Sequence, residues 1–152
     1  MKLYKRKFIK IFGLSILSII FPNNSLLAFE KKSINSNLSN QQKKIMFNEG
    51  TEKPYSSKLL NEKRKGYYLC ANCGNKLFAS NSKFDSGTGW PSFSEALPGA
   101  FKTKIDYSFG MERVEYHCAK CGAHHGHVFN DGPKESGKRF CNNGLCLIFK
   151  PE

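Results

Sequence analysis

The 152-residue sequence contains no apolar run of the roughly 20 residues that cross a bilayer as a stable helix. Its lysines and arginines form no dense block despite a formal net charge of +12, so a dedicated nucleic-acid role is not indicated. No helical period of useful length follows Leu60, which argues against a helical bundle. The chain is also too short for a second enzyme domain. These absences leave one small, mainly β domain without a nucleic-acid partner.

Acidic residues are absent from the first 28 positions, which carry five basic residues and then an apolar run of about 11 residues, Ile11 to Phe21. This order predicts a signal peptide over residues 1–28, with small residues near Ala28 for cleavage. Removing those five charges from the total of +12 leaves +7 for an exported, periplasmic protein. Leu26 occupies a position that usually needs a small residue, so an uncleaved anchor that faces the periplasm is the alternative.

Residues 29–40 are predicted to form a flexible linker, because a segment rich in Ser, Asn, Gln and Lys buries too little surface to fold alone. Residues 41–152 form the predicted domain, which begins with a short helix from Gln41 to about Asn48. From Gly66 onward, short aromatic and β-branched runs alternate with clusters of Gly, Asn, Asp, Ser and Pro. This texture is typical of short strands joined by tight turns, so the fold class is mainly β.

One cysteine pattern occurs twice, as CANCG from Cys70 to Gly74 and as CAKCG from Cys118 to Gly122. Two thiolates separated by two residues can face one ion, and the glycine permits the positive φ that such a turn often needs. A disulfide framework is the alternative in an exported chain, but cysteines so close in sequence would constrain little. We therefore predict one structural zinc ion per chain, without an open coordination position. The predicted ligands are Cys70, Cys73, Cys118 and Cys121.

Other candidates for chemistry lie in three segments. Trp90, the only tryptophan, lies in KFDSGTGWPSF, whose glycines and proline indicate a loop that presents the indole; a core position is the alternative. Three histidines occur in AHHGHVFNDGP, but a second metal site there lacks a matching carboxylate or thiol cluster. Arg139 and Cys141 are two residues apart, so on an extended strand both side chains point the same way and the cation can favour a thiolate.

Together these motifs closely resemble the methionine-R-sulfoxide reductases, the B-type methionine sulfoxide reductases. The resemblance runs from about Gln41 to Glu152. It includes GTEKPYS, the two CxxCG turns CANCG and CAKCG, here called the cysteine knuckles, and the segments KFDSGTGWPSF, DYSFGMERVEYHC, HHGHVFNDGP and RFCNN. It implies a β-tent-like fold of two antiparallel sheets with short N-terminal helices and zinc at one end. It also implies an oxidoreductase that reduces the R epimer of methionine sulfoxide, free or in oxidised proteins. A thioredoxin-like or other thiol reductant is the implied partner, and we expect a monomer.

The resemblance also implies a role for individual residues. Cys141 is the expected nucleophile, which attacks the sulfoxide sulfur and is left as a sulfenic acid. Trp90 and Asp131 are expected to bind substrate, with the indole lining the pocket for the methyl group, and Asp131 is also expected to support the thiolate. The other residues expected to hold the sulfoxide oxygen or to support the thiolate are His124, His127, Asn143 and Arg139.

The chain departs from the family pattern at two positions. Thr88 stands where many members carry a resolving cysteine, so the usual internal disulfide cannot form here. Gly144 follows Asn143 where a serine is common, which predicts altered backbone flexibility beside the nucleophile. The first departure leaves open how the sulfenic acid is reduced.

Cys146 is one candidate for the resolving thiol. LCLIF, Leu145 to Phe149, is predicted to be a strand, and on one extended segment the Cα atoms of Cys141 and Cys146 would lie up to about 17 Å apart at about 3.4 Å per residue. A disulfide needs roughly 4.4 to 6.8 Å, although the turn-prone NNG between them could shorten the separation. We interpret Cys146 as a packed strand residue and expect an external thiol to reset Cys141; a resolving role for Cys146 is the alternative.

Two other functional classes are alternatives to an enzyme. A zinc-stabilised binding module would recognise oxidised or unoxidised methionine without reducing it, but the presence of Cys141, Arg139 and the histidines together argues against lost chemistry. A zinc-ribbon nucleic-acid binder would bind polynucleotides with a steep salt dependence.

Overall fold

The structure is a computed structural model that describes residues 30–152. The predicted signal peptide, residues 1–28, lies outside the described residues, so its assignment stays a prediction. Within residues 30–152, no helix is both long enough and apolar enough to span a membrane.

The predicted N-terminal helix is present as α1, Asn40–Asn48, one residue longer at its start than expected. Ser39 caps it, because its side chain accepts from the Gln42 amide while the Gln42 side chain accepts from the Ser39 amide. This reciprocal pair satisfies two amides that the first turn would otherwise leave without partners. Ile45 and Met46 are buried and anchor the helix to the core.

The segment before α1 contacts the cysteine knuckles. Residues 30–39, within the predicted linker, form no helix or strand. The buried side chain of Asn72 nevertheless binds this segment: its amide nitrogen donates to Lys32 O at 2.6 Å, and its oxygen accepts from Ile34 N at 2.9 Å. Lys32 N in turn donates to Cys121 O at 3.0 Å. The segment therefore contacts both knuckles, the first through Asn72 and the second through Cys121.

Within residues 30–152, nine strands form two antiparallel sheets, which confirms the mainly β fold class. The strands are β1 Gly66–Cys70, β2 Lys76–Ala79, β3 Lys83–Phe84, β4 Ser92–Phe93, β5 Phe101–Asp106, β6 Arg113–Cys118, β7 His124–Phe129, β8 Arg139–Asn142 and β9 Leu147–Pro151. The small sheet has the order β2-β1-β9, and the large sheet has the order β3-β4-β8-β7-β6-β5. Short 3-10 turns join several strands, at Lys58–Asn61, Ser80–Ser82, Ser108–Gly110 and Gly144–Cys146.

An aromatic core holds the two sheets together. Phe78 of β2 stacks on Phe93 of β4 with ring centroids 4.0 Å apart, and Tyr68 of β1 meets Phe93 edge-on at 4.8 Å. All three rings are fully buried. Such ring pairs contribute about 0.5–1.5 kcal/mol beyond their burial. This packing sets the position of β4, the strand that pairs with β8 and its cysteine.

The predicted Leu145–Phe149 strand is wrong in its first two residues. Leu145 and Cys146 belong to the 3-10 turn Gly144–Cys146, and β9 begins at Leu147. The turn forms because the buried carboxylate of Glu52 accepts from the amides of Gly144 and Leu145. Cys146 is therefore a packed turn residue rather than a packed strand residue, and its side chain has no exposure.

Candidate active site and metal centre

The two cysteine knuckles have the same backbone geometry. In the first, Gly74 N donates to Cys70 O; in the second, Gly122 N donates to Cys118 O, both at 2.8 Å. Each glycine has a φ of 70°, which side chains rarely tolerate. The glycine after each second cysteine therefore permits the turn that directs both thiols of a knuckle to one point.

The four knuckle sulfurs form a compact cluster. Cys70 Sγ lies 3.7 Å from Cys121 Sγ, Cys73 Sγ lies 3.6 Å from Cys118 Sγ, and all four lie within 4.8 Å of one another. A tetrahedral ion with metal–sulfur bonds of about 2.3 Å needs sulfurs about 3.8 Å apart. A disulfide would need about 2.05 Å. Burial raises the pKa of the Cys73 thiol to about 12, so a cation is needed to keep a thiolate there at neutral pH. The cluster therefore fits a four-coordinate metal ion rather than disulfides.

Strand register brings Cys141 to the middle of a polar row across the large sheet. Cys141 on β8 lies opposite His127 on β7 and opposite Ser92 on β4. His127 lies opposite Glu115 on β6, which lies opposite Lys104 on β5. Residues directly opposite each other on antiparallel strands share one face of the sheet. The nucleophile and imidazole proposed from separate motifs therefore meet because of strand pairing.

A β-bulge brings His124 to the same face as His127. These residues are three apart, so on a regular strand they would point to opposite faces. The pairing shifts between Tyr116 and the next residue of β6, so that β7 contains one extra residue, His125. As a result the rings of His124 and His127 lie 5.7 Å apart, while His125 is buried with its Nε2 3.4 Å from Cys70 Sγ.

Carboxylates set the tautomers of the two site histidines. Asp106 Oδ2 lies 2.9 Å from Nε2 of His127, and Glu115 Oε1 lies 2.5 Å from Nδ1 of His124. Burial would raise the pKa of both carboxyls, but their hydrogen bonds, including those from these histidines, hold each pKa well below its usual range. An ionised carboxylate only accepts, so the facing ring nitrogens carry protons. The remaining ring nitrogens are Nε2 of His124 and Nδ1 of His127.

His127 is mainly neutral near pH 7. Burial lowers the pKa of His127, and the hydrogen bond to Asp106 offsets only part of this effect. An imidazole that is neutral in the resting protein can take up a proton during a reaction and then return it.

The thiol of Cys141 is half-buried on β8, near a cation and a hydroxyl. Burial raises the pKa of the Cys141 thiol, whereas the guanidinium of Arg139 and the hydroxyl of Thr88 lower that pKa. Asp131 holds the guanidinium through two bonds, at 2.9 and 2.8 Å, and the guanidinium lies 4.5 Å above the Phe129 ring. Arg139 and Cys141 thus share one side of β8, as their spacing predicts, although burial outweighs the cation.

Trp90 lies in a loop with its indole half-buried, so the loop interpretation is confirmed over the core interpretation. The indole Nε1 donates to Glu52 O at 3.1 Å, and Tyr55 N donates to Gly89 O at 2.7 Å. Gly89 has a φ of 89°, and a Cβ there would lie 2.9 Å from Pro54 Cβ. Two backbone segments therefore pack closely to hold the indole in place.

These groups surround one small cavity of about 180 Å³. Trp90, His127, Phe129, Cys141 and Asn143 are among the residues that line it. The indole and the phenyl ring supply apolar walls beside the thiol, which suits a short apolar group that carries a reactive sulfur.

Four predicted site residues stand apart from the cavity wall or are occupied by other bonds. Asp131 and Arg139 bind each other and are not among the lining residues. Buried His124 does not line the cavity either, and its ring lies 5.7 Å from that of His127. Asn143 lines the cavity, but its side-chain oxygen accepts from Glu52 N and its side-chain nitrogen donates to His125 O, both at 3.0 Å. These observations do not test the predicted roles, but they show what each residue contacts.

Sequence reasoning missed the two carboxylates that hold the histidines. Asp106 and Glu115 both lie in the quoted motif DYSFGMERVEYHC, and their two histidine partners lie downstream of it. The carboxylate thought to be lacking near the histidines is present, because Glu115 clusters with His117 and His124. Lys104 Nζ lies 3.0 Å from Glu115 Oε2, so an ammonium already balances this carboxylate.

The fold and the cavity fit an oxidoreductase with a separate cluster of four cysteines that could hold a metal ion. A family model described as the SelR domain matches residues 38–151. "Peptide methionine sulfoxide reductase MsrB" of Methanosarcina barkeri is 47% identical over 116 residues, which cover 76% of this chain and 82% of that protein. The chain therefore belongs to the methionine-R-sulfoxide reductase family of oxidoreductases, as its motifs suggest.

Other relatives agree with this membership. The protein of the same printed name from Variovorax paradoxus is 54% identical over 101 residues, which cover 66% of this chain and 74% of that protein. "Methionine-R-sulfoxide reductase B3, mitochondrial" of Mus musculus is 40% identical over 129 residues, which cover 84% of this chain and 51% of that longer protein. The solved Mis18 'Yippee-like' domain covers 59% of this chain at 16% identity with a TM-score of 0.49, a likeness too weak to carry an argument.

Proposed function

We propose that this protein reduces the R epimer of methionine sulfoxide, free or in oxidised proteins, with Cys141 as the nucleophile. The observation that carries the proposal is the direct opposition of Cys141 and His127 at one cavity, in a member of this family. The indole of Trp90 then contacts the substrate methyl group, and Asn143 helps to position the sulfoxide oxygen.

In this proposal His127 transfers the Cys141 proton to the sulfoxide oxygen. Its Nε2 proton is held by Asp106, so Nδ1 accepts the Cys141 proton as the thiol ionises. The imidazolium formed in this way then protonates the sulfoxide oxygen as the sulfur–oxygen bond breaks. His124, held by Glu115, supports this transfer from behind His127. The guanidinium of Arg139, positioned by Asp131 in the inferred arrangement, stabilises the thiolate between these events.

The sulfur chemistry is a two-electron exchange. The Cys141 thiolate attacks the sulfoxide sulfur and forms a sulfur–sulfur bond. The protonated oxygen then transfers to the Cys141 sulfur as the bonds from the substrate sulfur to oxygen and to Cys141 break, so that methionine leaves with two more electrons on its sulfur. Cys141 loses two electrons and keeps the oxygen as a sulfenic acid. An external thiol, of a thioredoxin-like protein or another dithiol, displaces this oxygen as water and forms a mixed disulfide. A second external thiol then releases Cys141.

Cys146 does not resolve the sulfenic acid in this scheme. Its side chain is fully buried, and burial raises the pKa of its thiol well above the usual value. A protonated, enclosed thiol is a poor attacking group.

The metal is zinc in this proposal, with one structural ion bound by Cys70, Cys73, Cys118 and Cys121. Four thiolates in tetrahedral spacing suit zinc and leave no position for a substrate. We also infer that the enzyme acts outside the cytoplasm, because the basic start and apolar run before residue 29 predict export. The expected oligomeric state is a monomer.

The test is intact-mass analysis after one equivalent of R-methionine sulfoxide, followed by turnover with dithiothreitol. The wild type should gain one oxygen at Cys141, release methionine and turn over, while the S epimer should remain unreduced. Cys141→Ser should lose all reduction, and the matched control Cys146→Ser should keep single-turnover activity and most recycling.

Equal rates on both epimers would contradict the stereochemistry. A Cys146→Ser variant that reduces once but cannot be recycled by any thiol would make Cys146 the resolving residue. Binding of methionine sulfoxide without turnover by the wild type would favour the binding-module alternative.

A further inference from the structure

Asp106, the carboxylate partner of His127, is held by four hydrogen bonds. Its Oδ2 accepts from Nη2 of Arg113 at 2.6 Å and lies 2.9 Å from Nε2 of His127. Its Oδ1 accepts from the amide of Ser108 at 2.8 Å and also from the Ser108 hydroxyl. An ionised carboxylate has about four lone-pair sites, so these four donors occupy all of them. The carboxylate is therefore fixed in one orientation.

Strand pairing places Arg113 both at this carboxylate and at the cavity. Arg113 on β6 lies directly opposite Asp106 on β5, and it precedes Glu115, the residue opposite His127, by two positions. Its side chain therefore shares the sheet face that carries His127. Arg113 is among the residues that line the cavity, and the side chains of Arg113 and Asp106 are only 21% and 12% exposed. Solvent therefore screens this ion pair only in part.

We propose that Arg113 is a positioning residue for the reaction, which acts through Asp106 to hold the imidazole of His127 in one orientation and one tautomer. This inference rests on the proposed function, because it concerns the proton transfer that His127 performs there. With Nε2 protonated and facing Asp106, Nδ1 is the nitrogen that accepts the Cys141 proton. A neutral ring with its proton on Nδ1 instead could not accept a proton at that atom.

Arg113 also determines which proton leaves the imidazolium. Once His127 has accepted the Cys141 proton, both of its ring nitrogens carry one. The carboxylate oxygen that faces Nε2 already accepts from the Arg113 cation, and a nearby cation makes a carboxylate a weaker base. The Nε2 proton therefore stays in place, and the Nδ1 proton is the one that moves to the sulfoxide oxygen.

The Arg113 cation opposes the effect of Asp106 on the protonation of His127. Burial lowers the pKa of His127, the hydrogen bond to Asp106 raises it, and the charge of Arg113 lowers it. Without Arg113, the carboxylate would act unopposed and the resting imidazole would hold a proton up to a higher pH. The other titratable or charged groups around this imidazole are Lys104 on β5, Glu115 on β6, His124 on β7, and Cys141 and Arg139 on β8.

The test is an NMR titration of the His127 ring nitrogens in the metal-loaded protein, which reports tautomer and protonation without turnover. For Arg113→Gln we expect the His127 midpoint to rise by about one pH unit, because nearby charges shift a pKa by about 1–3 units. Arg113→Lys keeps a cation and should stay close to the wild-type midpoint. The matched control is Arg64→Gln, which removes the cation from the ion pair of Arg64 with Glu62, neither of which lines the cavity. It should also leave the midpoint unchanged.

A second variant keeps the inference testable if Arg113→Gln disturbs the sheet. Asp106→Asn leaves Arg113 in place, but an amide can donate as well as accept, so both His127 tautomers should appear. Adding Arg113→Gln to Asp106→Asn should change the tautomer ratio no further, because Arg113 acts through the carboxylate. An unchanged tautomer in Asp106→Asn would overturn the inference, since Arg113 would then have no group to act through.

Turnover with dithiothreitol provides the second readout. Arg113→Gln should lower kcat several-fold with little change in the KM for methionine sulfoxide. Because neutral His127 accepts the Cys141 proton, kcat/KM falls as pH drops through the His127 midpoint, so this acid limb should move up by the same one pH unit or about that. Arg113→Lys should restore the wild-type limb.

Two results in Arg113→Gln would overturn the inference: a His127 midpoint and tautomer like those of the wild type, or a shift that Arg64→Gln reproduces. The NMR readout does not depend on catalysis, so it separates this inference from the proposed function. The expected shift in Arg113→Gln, together with a wild type that reduces no R-methionine sulfoxide, would support the action of Arg113 on His127 and overturn the proposed function.

Discussion

We predict that residue 144 must be glycine because the fold leaves no room for a side chain there. The substitution Gly144→Ser tests this prediction. Its φ is not among the positive values, so no left-handed conformation demands a glycine. A Cβ at residue 144 would lie 2.5 Å from Ser57 Cβ and 3.2 Å from Glu52 Oε1, whereas carbon atoms pack at about 3.5–4.0 Å. Ser57 therefore occupies the volume that a side chain at residue 144 would need.

The cost of Gly144→Ser follows from these contacts. Overpacking a closed site costs about 1–3 kcal/mol. Moving the turn away would weaken the bonds from the Gly144 and Leu145 amides to the Glu52 carboxylate, and a hydrogen bond to a charged group contributes about 1.5–3 kcal/mol. We expect the free energy of unfolding to fall by about 2–3 kcal/mol, which lowers Tm by about 10 °C in a domain of this size.

The assay is a double-mutant cycle in urea with the metal-loaded protein. Ser57→Gly alone should cost about 1 kcal/mol, because the Ser57 hydroxyl accepts from Leu59 N at 3.2 Å. Adding Ser57→Gly to Gly144→Ser should recover most of the loss, which gives a coupling free energy of about 2 kcal/mol. An unchanged urea midpoint in Gly144→Ser, or a double variant as unstable as the sum of the singles, would refute the steric argument.

Two further predictions concern the thiols. Thr88→Cys should form a disulfide with Cys141 after one turnover and turn over faster with a thioredoxin-type reductant, because Thr88 stands where many family members carry the resolving cysteine and its hydroxyl lowers the Cys141 pKa. Intact mass that shows only an added oxygen would mean that the loop holds the two sulfurs too far apart. Metal analysis should find close to one zinc per chain, and Cys118→Ser should give an unfolded or metal-free protein, since a four-thiolate site contributes directly to folding. Full stability of the wild type without metal would contradict this assignment.

Local sequence patterns were sufficient to predict those features that are formed by residues close together in the sequence. The capping box of α1 needs only Ser39 and Gln42, and each knuckle needs two cysteines and the following glycine. Such contacts span a few residues, so their spacing along the chain is also their spacing in the fold. The same holds for Arg139 and Cys141, whose alternation on β8 follows from strand geometry.

Long-range contacts explain the prediction that was wrong. Cys146 leaves the predicted strand because Glu52, 94 positions upstream by its number, accepts from the amides of the two preceding residues. No residue in LCLIF indicates that a distant carboxylate binds this segment, and the segment by itself has the composition of a strand. A turn that depends on a buried partner elsewhere in the chain can be recognised only when both are placed.

The sequence by itself determined the fold class, the four-cysteine cluster and the family, because these depend on residue type and short spacing. Only the tertiary structure decided which groups face Cys141. The bulge at His125 turns His124 and His127 to one face, and strand register puts His127 opposite Cys141. Burial then outweighs the nearby cation in setting the Cys141 pKa. Register, bulges and burial come from pairing and packing between distant segments, so no local pattern contains them.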